Sequence, residues 1–172
     1  MREKWIVETK KGDFNGLSAK LKVSPLAVRC LMNRGVESEQ EMREFLYGTL
    51  DDLHDPFLMK GMDEAVREIV KAKEQGRKVA IASDFDCDGI FSAYILWKGF
   101  QKIGLDSEIF TPDRVKEGYG LNRRIVDEAL AGGRDFLVTC DNGIAANEEV
   151  DYAKKLGMTV IVTDHHEVQE QM

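Results

Sequence analysis

The sequence predicts an α/β fold: a parallel β-sheet flanked by helices, with an α-helical N-terminal extension. Three observations carry that expectation. From residue 77 onward, short apolar runs alternate with segments whose apolar residues recur at helical spacing. Glycines at 76, 104, 132 and 157 close the helical segments. Residues 1–60 hold helical patterns but no convincing strand. Strand–helix alternation means parallel strands joined by right-handed crossovers, with helices covering the sheet.

The elements follow in order. Ser24-Pro25 starts a helix: the hydroxyl caps it, and proline in the first turn has no N–H to lose. Leu26–Asn33 continues it and Gly35 ends it. Ser38-Glu-Gln-Glu41 is a capping box that opens a helix to Tyr47. Leu50–Pro56 reads as a connecting loop, and Met62–Gln75 as a helix with Ala65, Val66, Ile69, Val70 and Ala72 on one face. Then come strand Val79–Ser83, helix Ile90–Ile103, strand Ser107–Thr111, helix Arg123–Ala131, strand Phe136–Cys140, helix Asn147–Leu156 and strand Met158–Thr163. The expected division is a helical extension over 1–76 and a sheet domain over 77–172. A sheet ending at its fourth strand leaves an edge open.

Composition narrows the class. A 43% hydrophobic share supports a core, and 32% charged residues fit a soluble, helix-rich chain. No apolar run reaches the ~20 residues of a membrane helix. Met1-Arg-Glu-Lys-Trp5 lacks the apolar stretch of a signal peptide. Cys30, Cys87 and Cys140 are dispersed and odd in number, so they read as reduced thiols of a cytoplasmic protein. The net charge of −7 argues against a nucleic-acid binder when taken alone. Bound divalent cations would reverse the local sign where the acid is concentrated.

That concentration lies at the predicted strand ends. Asp84-Phe-Asp86-Cys-Asp88 follows the first strand, Asp141-Asn-Gly143 the third, and Asp164-His165-His166 the fourth. In a parallel sheet these turns share one edge, where open α/β folds place ligands. Uncompensated, that many carboxylates would cost several kcal/mol. Oxygen-rich sites with one or two imidazoles suit Mn²⁺ or Mg²⁺. More than three carboxylates suggest two ions about 3.5–4 Å apart, a recurring solution for phosphoester hydrolysis. Adjacent histidines point apart, so His165 is expected as a ligand and His166 as hydrogen-bond donor or acid toward a phosphate. Asp88 fits both a helix cap and the metal shell. In the loop 112–120, Arg114 and Lys116 can contact phosphate and Tyr119 can stack on a base or ribose.

These turns resemble the successive motifs of the DHH phosphoesterases, named for the Asp-His-His sequence. Asn33-Arg-Gly35, Asp55-Pro56, Pro112-Asp-Arg114 and Glu117-Gly-Tyr-Gly-Leu121 narrow the resemblance to the RecJ type within them. The resemblance implies 5′→3′ degradation of single-stranded DNA in repair and recombination, with Mn²⁺ or Mg²⁺. It implies Asp84, Asp86, Asp141 and His165 as metal ligands, His166 as the catalytic histidine and Asp164 as its orienting partner. Related activities are an oligoribonuclease or a cyclic-dinucleotide phosphodiesterase; a non-catalytic scaffold is the alternative outside enzymes. The chain ends six residues past His166. RecJ-type proteins continue with a further metal-ligating aspartate and accessory domains, so a fragment with an incomplete site is expected.

Overall fold

The computed structural model describes residue 6 and residues 10–168. Met1–Trp5 lies outside the described residues. The chain forms two compact units, Met1–Leu58 and Met59–Met172. The division falls at 58/59 rather than at 76/77, because the helix after Gly61 packs Ile69 and Ala72 into the core of the sheet.

The first unit contains helices α1 (Phe14–Leu21), α2 (Pro25–Asn33) and α3 (Glu39–Tyr47). Side chains cap all three: Asp13 accepts from Gly16 N–H, Ser24 from Ala27 N–H, and Ser38 with Glu41 closes the capping box. Leu21, Val28, Leu31, Met32 and Met42 form its core. The expected 50–56 loop holds a 3₁₀ turn at Leu50–Asp52, and a second follows at Pro56–Leu58.

The second unit begins with α4 (Met62–Glu74) and continues β1 (Val79–Ser83), α5 (Cys87–Ile103), β2 (Ser107–Phe110), α6 (Arg123–Ala131), β3 (Phe136–Cys140), α7 (Asn147–Lys155) and β4 (Thr159–Thr163). The strands run parallel in the order β2-β1-β3-β4. Alternate residues of a strand face opposite ways. Val79, Ile81, Phe136 and Val138 therefore meet Ala72 of α4 with Ala93 and Phe100 of α5. Ala80, Ala82 and Leu137 meet Ile125, Val126 and Ala129 of α6 with Ala153 of α7. Both faces being covered, β1 and β3 are buried at every position, which explains why they are mostly apolar, with only Ser83 and Thr139 polar. The edge strands β2 and β4 are only partly buried. Among the described residues, no helix is long and apolar enough to cross a membrane.

Two features of this sheet place the site. The chain leaves β1 toward β2 on one side and returns to β3 on the other, which opens a crevice at the carboxyl ends of β1 and β3. Ser83, Cys140 and Thr163 also lie in register across three neighbouring strands. The next residues are Asp84, Asp141 and Asp164, so three aspartates leave the sheet at one level.

Candidate functional site

The turn after β1 carries the most isolated carboxylate. Asp84 is fully buried. Its Oδ1 accepts a long hydrogen bond from Gly120 N–H at 3.3 Å, and its Oδ2 is buried without a partner among the described residues. An unsatisfied buried acceptor costs ~1–3 kcal/mol, and more when charged. Asp86 begins α5: its backbone is extended and its Oδ1 accepts from Gly89 N–H at 3.1 Å. The cap expected at Asp88 is thus Asp86. Helix α5 starts at Cys87 instead of Ile90, and Asp88 sits exposed in its first turn, favourably placed against the helix dipole. Gly89 is required for this geometry, since a Cβ there would lie 2.4 Å from the Asp84 carbonyl oxygen.

The turn after β3 is sharp. Asp141 adopts φ +61°, uncommon for a residue with a Cβ. Its N–H donates to Thr163 O at 3.1 Å, extending the ladder one step beyond the strand. Its carboxylate is nearly buried, and Oδ1 lies 2.8 Å from His165 Nε2. Burial pushes the Asp141 carboxyl up, and the His165 hydrogen bond offsets only part of that.

The turn after β4 is held by Asp164. Oδ2 accepts from Ile144 N–H at 3.0 Å; Oδ1 accepts from His165 N–H at 2.8 Å and His166 N–H at 3.2 Å, and pairs with His166 Nδ1 at 2.7 Å. Burial would raise this carboxyl, but the donors from Ile144, His166 and His165 outweigh it and hold it below its ordinary range. The same contact with Asp164 raises His166 above its ordinary value. The two imidazoles do not diverge as adjacency suggests: their centroids are 4.6 Å apart. Asp164 gathers both amides and one ring, curling the turn so that both histidines face Asp141. Ligand atoms of Asp141, His165 and His166 all lie within 4.8 Å of one another.

The loop after β2 closes over this group. Tyr119 donates its hydroxyl proton to the Asp141 carbonyl at 3.1 Å and meets His166 Nε2 at 3.1 Å. Desolvation and the charges of Asp141, Asp84, Asp164 and Asp86 push the phenol up to about 12. Four carboxylates from three turns thus act on one hydroxyl. Tyr119 meets the Phe85 ring edge-on at 6.3 Å, and the Arg114 guanidinium covers Phe85 at 5.0 Å. The loop is clamped from α6 by Arg124, which pairs with Glu117 and donates to the Thr111 carbonyl.

The structure therefore brings Asp84, Asp141, Asp164, His165, His166 and Tyr119 around one crevice, with Asp86 at its rim and Arg114 stacked on Phe85. Asp88 instead lines a neighbouring groove of about 490 Å³, walled by Phe91 and Ile95 of α5 and reaching Asp141 and His165. Sequence reasoning missed Phe85 and Asn142. Phe85 had a signal: it is the one large apolar side chain between the first two aspartates of an acidic run. The donor set fits a hard divalent cation: Asp141 and His165 offer an O and an N 2.8 Å apart with His166 close by, and Asp84, leaving the sheet at the same level, has an unpartnered buried oxygen.

A family model described as the DHH family, N-terminal domain, matches residues 78–172. The chain belongs to the DHH family. Its DHH portion covers the whole sheet and every turn described above. The single-stranded-DNA-specific exonuclease RecJ of Bacillus subtilis is 38% identical over 165 residues, 95% of this chain and 21% of that protein. The RecJ of Escherichia coli is 36% identical over 143 residues, 83% of this chain and 24% of that protein. A crystal structure of exonuclease RecJ bound to manganese matches with TM-score 0.61 and 35% identity over 66% of this chain and 29% of that one. RecJ in complex with Mn²⁺ from Thermus thermophilus matches with TM-score 0.65 and 29% identity over 92% of this chain and 22% of that one. The DHH chain described here thus spans about a fifth to a quarter of the length of these relatives.

Proposed function

We propose that this chain is the N-terminal catalytic portion of a RecJ-type exonuclease, which hydrolyses single-stranded DNA from the 5′ end. The observation that carries the reading is the in-register exit of Asp84, Asp141 and Asp164 from three strands, with the Asp84 Oδ2 buried and unpartnered. The named activity of the relatives and the manganese of the similar structures support it. Asp84, Asp86, Asp141 and His165 hold Mn²⁺ or Mg²⁺, with two ions in the complete site. Such ions supply Lewis-acid stabilisation of phosphoryl charge and a more acidic water.

The protein groups have separable tasks. Asp164 keeps the His166 ring fixed and favours its protonated form. Tyr119 gives its one proton to the Asp141 carbonyl, so toward His166 it accepts, which also suits an imidazolium. To engage a phosphate oxygen or protonate the leaving oxygen, the imidazolium would turn its Nε2–H from the Tyr119 hydroxyl to that oxygen while Nδ1–H stays on Asp164. Arg114 faces the substrate as phosphate contact, and the Phe85–Tyr119 pair offers rings for a base or ribose. Such an enzyme belongs to DNA repair and recombination in the cytoplasm, where the free cysteines stay reduced.

The test is degradation of 5′-labelled single-stranded DNA by the full-length gene product in Mn²⁺, compared with short RNA. Release of mononucleotides from the 5′ end of DNA, lost in Asp141→Ala, is expected. Preference for RNA, or undiminished hydrolysis by Asp141→Ala, would contradict the assignment.

A further inference from the structure

Asn142 is one of the largest fully buried side chains of the chain, only 2% exposed. It is polar, and it lies between the candidate ligand Asp141 and a glycine. A buried amide is costly unless its donors and acceptor are met. Here they are met by backbone from three separate segments. Nδ2 donates to Ala82 O of β1 at 3.1 Å and to Cys140 O of β3 at 2.9 Å. Oδ1 accepts from Leu121 N–H, at the end of the loop after β2, at 3.1 Å. Both amide protons are engaged, so the side chain has none left for a ligand.

The three segments are those that carry the site. Ala82 is two residues before Asp84, and Cys140 directly precedes Asp141. Leu121 follows Gly120, whose N–H donates to Asp84 Oδ1, and Tyr119, which bonds the Asp141 carbonyl and His166. Gly120 at φ +74° takes a backbone conformation that L side chains rarely adopt, and it passes the Asn142 side chain at ordinary contact distance. A parallel ladder alone does not fix the distance between the turns beyond its last bond. Asn142, two residues past β3, ties the last carbonyl of β3 to the Ala82 carbonyl inside β1 and to the Leu121 amide of the loop, which links the ends of the two strands to each other and to the loop.

We propose that Asn142 is a positioning residue: it sets the separation of the Asp84 and Asp141 carboxylates and anchors the Tyr119 loop over them. The metal part of this inference rests on the proposed cation site; the loop part does not.

The experiment uses the ¹⁵N-labelled chain, with amide exchange in EDTA and Mn²⁺ affinity by electron paramagnetic resonance. In Asn142→Ala, exchange at Leu121 and Gly120 should accelerate about tenfold or more while Leu137 and Val138 hold. Mn²⁺ affinity should fall about 10–100-fold, as it does when groups that orient ligands are removed. Asn142→Asp sets a carboxylate oxygen against the Ala82 and Cys140 carbonyls, so Leu121 should lose protection in that variant too. Unchanged exchange at Leu121 in Asn142→Ala, or unchanged Mn²⁺ affinity in that folded variant, would overturn the proposal. Should Asn142→Ala fail to fold, the wild-type chain decides: a Leu121 amide that exchanges as fast as an unstructured peptide contradicts the anchoring role. A wild-type chain that takes up no Mn²⁺ contradicts the proposed function, and the exchange measurement still decides the loop.

Discussion

The turns after β1 and β4 both begin with an aspartate leaving the sheet at the same level, yet their carboxylates are in opposite condition. Asp164 is fully engaged: two oxygens receive three backbone amides and one imidazole. Asp84 is more deeply buried and has one weak donor and one empty oxygen. The first aspartate holds protein together, and the second lacks a counter-charge that the protein does not provide. Burial of an acid is therefore a poor guide to its task. The hydrogen-bond partners separate an acid that ties its turn together from one left without a counter-charge.

The largest expected effect tests whether a cation belongs there at all. Mn²⁺ should raise the melting temperature of the chain, and Asp141→Ala should abolish that shift, as read by thermal denaturation with and without metal. A full shift in the variant would dissolve the contrast.

The contrast is sharpened by making the same substitution in both turns. Asp84→Asn removes an uncompensated charge, so in EDTA it should leave the fold as stable or stabilise it by ~1–3 kcal/mol. Asp164→Asn weakens charge-assisted bonds and should destabilise by ~1–3 kcal/mol. Urea unfolding reads both; two changes of the same sign would refute the distinction.

Helix α5 offers a parallel test of how tightly the β1 turn is built. Gly99 has open space around its would-be Cβ, and Gly99→Ala should stabilise by ~0.5–1 kcal/mol through helix propensity. Gly89→Ala gains the same propensity but meets the Asp84 carbonyl, so it should destabilise by ~1–3 kcal/mol. A stabilising Gly89→Ala would show that the turn can relax.

The smallest effect concerns the β4 turn alone. His166 is raised above 6.5 chiefly by Asp164, and Asp164 is held below 3.8 by its donors. A raised histidine stabilises fully below 6.5 and loses that contribution as pH rises through its folded value. A depressed aspartate stabilises above 3.8 and loses it as pH falls through its folded value. The pair's contribution in EDTA should therefore plateau between 3.8 and 6.5. In Asp164→Asn, NMR titration of His166 should show its pKa moving down toward 6.5.

Much of the fold was legible because short continuous apolar runs differ sharply from period-3.6 apolar patterns, and β1 and β3 show such runs because they are buried on both faces. The convergence of the three acidic turns was legible from parallel topology. The start of α5 was not, since Asp86 and Asp88 alternate and either could cap a helix; only backbone geometry shows that Asp86 does. The convergence of His165 and His166 was hidden because it depends on Asp164 bonding both amides. Asn142 was hidden more deeply, because its partners are backbone groups of residues 60 and 21 positions away and leave no mark on side-chain pattern. The place of α4 was likewise a packing fact, decided by Ile69 and Ala72 against the sheet.

The central claim is that the turns after β1, β3 and β4 form one cation site. A crystal of this chain soaked in Mn²⁺, with data collected at the manganese edge, tests it most directly. The account predicts anomalous density bounded by Asp84, Asp141 and His165, with the Asp84 Oδ2 among the ligands. Manganese bound elsewhere, or bound without Asp84, would contradict it.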